Sequence, residues 1–217
     1  TPNFCPLDEY AAAFELGCEV TVDGPAALLA RPGIFRGREI ALRVDPGEGL
    51  GHHKKVRTAG AHAKFGQPLA DLDALWDATV EVGVSVVGLH SHVGSGILDA
   101  TAWERTGRTL SALLEGFPDV RWLDLGGGLG VVERAGQEPL DLHRLEADKA
   151  RVLKDTTGGA SVDEAQKKFD FFQVRPCVCA CMSCRGCVVA HTRAYAVCWH
   201  PQDLRVFVSD LCSCLHA

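Results

Sequence analysis

The 217-residue chain has one methionine, Met182, far from its start, and only two tyrosines. It lacks any uninterrupted apolar run near the ~20 residues that a membrane helix requires. Its first residues also lack the basic, apolar, small-residue order of a secretion signal. No membrane partner is therefore expected, and a cytoplasmic location is. Positive charge is scarce: 22 Lys and Arg against 28 Asp and Glu leave a net charge of −6. With no basic stripe to offset that balance, nucleic acid is excluded as a partner. Cysteine is nearly missing ahead of Cys177, where only Cys5 and Cys18 occur, yet eight cysteines crowd the final 41 residues. The chain opens on Thr1 rather than Met, which reads as a fragment.

What is present is an alternation of short apolar runs and helical patterns. The runs at 19–23 (EVTVD), 39–45 (EIALRVD), 84–90 (VSVVGLH) and 120–125 (VRWLDL) are rich in Val, Ile and Leu, as buried strands are. Helical segments are expected at 6–17, with Pro6 opening and Gly17 closing it, and at 68–83, with Leu72, Leu75, Trp76, Thr79 and Val80 on one face. A third is expected behind Asp99, burying Trp103, Leu110, Leu113, Leu114 and Phe117. Such spacing indicates βα units and a parallel sheet, either doubly wound or closed as a β/α barrel. In both, chemistry collects at the carboxyl ends of the strands. Beyond about residue 146 the pattern fails: the stretch from Leu145 to Asp170 reads as a polar bridge, and the cysteine-rich end has no clear period. Two regions are expected, 1–146 and an unrelated tail at 147–217.

Three polar segments follow the strands. Gly126, Gly127 and Gly128 directly after an apolar run leave backbone N–H groups unshielded, which suits a phosphate cradle or simply a tight turn. In HSHVGSG (90–96), His90 and His92 share a face, because side chains two apart in a strand do; a metal pair, a stacking surface and a structural histidine all remain open. Arg43 stands inside an apolar strand, where a buried guanidinium needs an anionic or hydroxyl partner. His52, His53, Lys54, Lys55 and Arg57 form a basic loop, either a solvated turn or a cover over an anion. The tail cysteines, with His200 and His216, carry enough soft ligands for zinc or a cluster but match no compact four-ligand spacing. A metal module and an out-of-frame translated segment are the two readings of this tail.

TPNF, EVTVD, LRVDPGEGLGHHKKVRTAGAHAKFG, VGLHSHVGSGI and LDLGGGLG, taken in this order over residues 1 to about 146, resemble the barrel of the pyridoxal-phosphate decarboxylases of the alanine-racemase-like fold. Within that group they are most similar to the diaminopimelate decarboxylases, including forms fused to aspartate kinase. The resemblance implies an incomplete (β/α)8 barrel holding about strands three to seven of eight. It implies pyridoxal 5'-phosphate as cofactor, with His92 stacked on the pyridine ring, Ser95 near the phosphate, and Gly126, Gly127 and Gly128 offering it their N–H groups. Arg43 would lie near the ring hydroxyl. An amino-acid substrate, meso-diaminopimelate decarboxylated to L-lysine, and a homodimer of the full-length protein follow from the same resemblance. Ornithine, arginine or carboxynorspermidine as substrate, and a non-enzymatic metal-binding protein built on the tail, are the alternatives. The family's Schiff-base lysine belongs to a strand that would precede Thr1, and Lys64 does not replace it. This chain alone is therefore expected to be inactive.

Overall fold

The computed structural model describes residues 5–47 and 65–158 and the backbone of 171–173. All described residues lie within Thr1–Cys177. The basic loop from His52 to Arg57, Lys64 and the cysteine-rich tail fall outside the described residues.

The described residues contain six α-helices and six strands. The strands are β1 (Thr21–Val22), β2 (Glu39–Asp45), β3 (Gln67–Pro68), β4 (Ser85–His90), β5 (Trp122–Asp124) and β6 (Phe171–Gln173). The helices are α1 (Leu7–Glu15), α2 (Pro25–Ala30), α3 (Pro32–Phe35), α4 (Leu72–Val82), α5 (Thr101–Ala112) and α6 (Leu142–Thr156). Every strand pairing is parallel, in the order β1-β2-β4-β5-β6, with β3 attached to the far end of β2. A doubly wound sheet reverses its strand order at a switch point. Here the order only advances, as in a β/α barrel, and the described strands form part of one.

Local chemistry explains the elements. From Ile40 to Asp45, β2 is buried at every position, the signature of a strand covered on both faces. Val22, Leu42, Leu89 and Leu123 from four consecutive strands have no more than 1% exposure and form the middle of the core with Phe35, Leu75, Trp103 and Leu110. At Gly83 the φ of +76° ends α4 in the left-handed conformation that glycine adopts without a Cβ penalty. Asp99 accepts the Thr101 N–H and hydroxyl at 3.0 and 2.7 Å, fixing the entry to α5.

Three expectations need correction. On α4 the buried face is Leu72, Leu75, Ala78, Thr79 and Val82, so Trp76 and Val80 sit at its edge, 37% and 62% exposed. The apolar count was right, but the stripe is rotated about one residue. The supposed polar bridge after Leu145 contains α6, whose buried Leu145, Asp148, Val152 and Leu153 follow helical spacing and pack it against α5. Finally, the boundary expected at 146/147 falls inside this helix, and β6 adds a further strand to the sheet beyond it. The two short helices α2 and α3, each opened by a proline, had no counterpart in the sequence reading.

Candidate functional site

The carboxyl ends of four neighbouring strands bring charged and aromatic groups together. Asp23 follows β1, Arg43 and Asp45 finish β2, His90 ends β4 with Ser91 and His92 next, and Asp124 ends β5. Parallel strands in register place these groups at one rim: Arg43 pairs with His90, and His90 with Asp124.

Arg43 is buried, with Nη1 3.9 Å from Asp23 Oδ1 and its guanidinium carbon 4.6 Å from the centroid of the Phe65 ring. The flat cation thus lies over an aromatic face beside a carboxylate. Asp23 also accepts the Gly66 N–H at 3.3 Å. Burial pushes the Asp23 carboxyl up, while Arg43 and that hydrogen bond work against the rise. Asp45 accepts the N–H of Gly47 at 2.9 Å and turns the chain away from the strand.

His92 is 7% exposed. Burial, with the nearby Arg43 and His90, lowers its pKa to about 4, and Asp124 only partly opposes them. Its imidazole is therefore neutral at pH 7. His90 Nδ1 lies 3.2 Å from Asp124 Oδ2. Ser91 is fully buried, whereas Ser95 is exposed at a bend. Among the described residues no group of three or more His, Cys, Asp or Glu side chains is gathered for a metal ion.

The glycine segment lies directly against HSHVGSG. Gly126 and Gly128 have φ of +72° and +83°. A methyl group on Gly126 would stand 2.7 Å from the Ser91 carbonyl oxygen and 2.8 Å from His92 Nδ1; on Gly128 it would collide with the Gly94 carbonyl oxygen. Only glycine allows this approach. The two loops then join by hydrogen bonds: Ser91 N–H to the Asp124 carbonyl (2.9 Å), Ile97 N–H to the Gly128 carbonyl (2.9 Å) and Gly130 N–H to the Ile97 carbonyl (2.8 Å). Gly126 N–H donates to Asp124 Oδ1 at 2.8 Å, so this donor is engaged within the protein. Of the two readings of the three glycines, the geometry shows the tight turn, packed against residues 91–97.

Sequence reasoning did not single out Asp23, Asp45 or Asp124. A signal was there, since each closes an apolar run (TVD, LRVD, WLD) at a strand end.

A parallel β/α sheet with a buried cation, a buried imidazole and a glycine turn at its carboxyl rim defines a β/α-barrel protein whose candidate ligand site is that rim. Residues 8–163 match the family model described as pyridoxal-dependent decarboxylase, pyridoxal binding domain. The chain belongs to this family. It is 32% identical over 164 residues to a diaminopimelate decarboxylase of Methanothermobacter thermautotrophicus, covering 71% of this chain and 38% of that protein. To the diaminopimelate decarboxylase of Escherichia coli K12 it is 35% identical over 105 residues, 48% of this chain and 25% of the relative. A crystal structure of diaminopimelate decarboxylase superimposes with a TM-score of 0.60 at 25% identity, covering 74% of this chain and 39% of that one. The chain thus spans between a quarter and two fifths of these proteins. The cofactor that goes with this domain is pyridoxal phosphate.

Proposed function

We propose that the chain supplies part of the cofactor site of a diaminopimelate decarboxylase, an enzyme converting meso-diaminopimelate to L-lysine. The observation that carries the proposal is His92: a buried imidazole held neutral beside Arg43 and against a glycine turn. The residues present fit pyridoxal phosphate. A neutral flat ring stacks on a pyridine ring without adding charge. The Arg43 guanidinium would hold an anionic ring oxygen, the exposed Ser95 hydroxyl would donate to the phosphate, and the Gly127 and Gly128 backbone N–H groups would be its further donors. Gly126, with its N–H held by Asp124, shapes the turn.

When bound, pyridoxal phosphate supplies the electron sink for the carbanion left by loss of carbon dioxide. His92 would orient the ring and Arg43 would balance the charge of its oxyanion. The choice of diaminopimelate rests on the relatives of 32% and 35% identity, both diaminopimelate decarboxylases.

Two measurements test this. Equilibrium dialysis of the chain with pyridoxal phosphate, against pyridoxal as the phosphate-free control, is expected to show saturable one-to-one binding that favours the phosphate ester. Absence of saturable uptake overturns the cofactor role. For the substrate, a chimera carrying this chain's matched segment in the E. coli enzyme is expected to release carbon dioxide from meso-diaminopimelate. Preference for ornithine, arginine or carboxynorspermidine overturns the assignment.

A further inference from the structure

Asp124 splits its carboxylate between the glycine turn and the end of β4. One oxygen accepts the Gly126 N–H at 2.8 Å, and the other stands 3.2 Å from His90 Nδ1. The Asp124 side chain is only 13% exposed and that of His90 11%, so water competes poorly for either contact. The glycine turn that Asp124 holds lies along one edge of the His92 imidazole. The Cβ position of Gly126 is 2.8 Å from His92 Nδ1, and that of Gly128 is 3.3 Å from His92 Cε1. Any movement of the turn therefore moves the wall against which the ring rests.

We infer that Asp124 is a positioning residue: by accepting the Gly126 N–H and facing His90, its carboxylate clasps the glycine turn against His92 and sets the plane that His92 offers to an aromatic cofactor. The inference deepens the cofactor site proposed above and rests on it for the identity of the ring. The clasp itself belongs to the chain and can be read without any ligand. His90 is the second half of the device. From the end of β4, the strand that leads into His92, its Nδ1 faces the second Asp124 oxygen at 3.2 Å.

The chemistry orders the variants. Asp124→Asn keeps an oxygen to accept from Gly126 but loses the charge, whereas Asp124→Ala loses both contacts. In the ligand-free chain, amide hydrogen exchange at Gly126 is expected to accelerate at least about tenfold in Asp124→Ala and by about threefold or less in Asp124→Asn. Exchange at Leu89, in the middle of β4, should remain unchanged in both. Equal acceleration at Gly126 and Leu89 would mean general destabilisation and overturns the clasp, as does unchanged exchange at Gly126 in Asp124→Ala. The His92 Hε1 resonance gives a second reading, expected to shift in Asp124→Ala and in His90→Ala more than in Asp124→Asn.

The same variants are then titrated with pyridoxal phosphate. The dissociation constant is expected to rise about tenfold in Asp124→Ala and to stay within about threefold in Asp124→Asn. An unclasped turn with undiminished affinity overturns the positioning role. If the parent chain itself takes up no pyridoxal phosphate while the exchange pattern holds, the cofactor reading fails and the clasp stands.

Discussion

Arg43 Nη1 and Asp23 Oδ1 face each other at 3.9 Å across the ends of two neighbouring strands, and the Phe65 ring covers the guanidinium from a third segment. Three parts of the chain are thereby drawn to one cation at the rim where ligands of this fold class bind.

Removing either member of this group should separate stability from ligand binding. Asp23→Ala leaves a buried cation with one carboxylate fewer and is expected to cost about 1–3 kcal/mol in urea unfolding. Arg43→Lys keeps the charge but loses the flat contact with Phe65. It should weaken retention of pyridoxal phosphate by about fivefold or more in dialysis while costing little stability.

His92 predicts an acid-side loss of stability. Its pKa is lowered from 6.5 to about 4 on folding. The unfolded chain therefore binds the extra proton first as pH falls. The stability present above pH 6.5 is lost progressively towards pH 4. Urea midpoints measured across this window should fall for the parent and fall less steeply for His92→Phe, whose ring cannot protonate. Equal slopes in the two proteins would contradict a buried neutral imidazole.

Gly128 and Gly136 have nearly the same backbone, with φ of +83° and +85°, but nothing lies within 4 Å of a Cβ at Gly136. Gly136→Ala carries only the conformational cost, about 1–2 kcal/mol. Gly128→Ala adds a collision with the Gly94 carbonyl and should exceed it by about 1–3 kcal/mol. Chemical denaturation of the pair isolates close approach from backbone conformation.

Helix α6 offers a test of where the folded architecture extends. Val152 and Leu153 are 1% and 5% exposed, past the point where the sequence pattern had faded. Val152→Ala or Leu153→Ala should cost about 1–4 kcal/mol. Arg108→Ala, which removes its pairs with Asp155 at 3.2 Å and Glu104 at 3.1 Å, should cost less than about 1 kcal/mol. Equal effects would show that α6 does not bury this face.

The legible part of the fold was its apolar part. All four strand runs read from Val, Ile and Leu became β1, β2, β4 and β5, because strands buried on both faces write themselves as continuous hydrophobic stretches. Helix α6 was hidden by its surface: Arg144, Lys149, Arg151 and Lys154 dilute an apolar stripe of three residues, and the fourth buried position is Asp148, held by Arg151 at 2.5 Å. Neither β3 (Gln67–Pro68) nor β6 (Phe171–Gln173) contains the Val, Ile or Leu that marked the other strands. At the rim, Arg43, His92 and the glycines were legible because their types are unusual for where they stand. Asp124 was not: a carboxylate after a strand is common, and its importance lies in which amide it accepts, a matter of three-dimensional neighbours.

The bond pattern joining residues 91–97 to 124–130 continues the β4–β5 ladder past the ends of both strands, including a parallel bridge between Ile97 and Leu129. The floor of the site is thus an outgrowth of the sheet rather than a pair of free loops. Heating or denaturant should dissolve the floor and the central strands in a single cooperative step. Sequence drift that alters ligand preference has its freest scope in the surrounding segments, because this one is tied to the integrity of the fold.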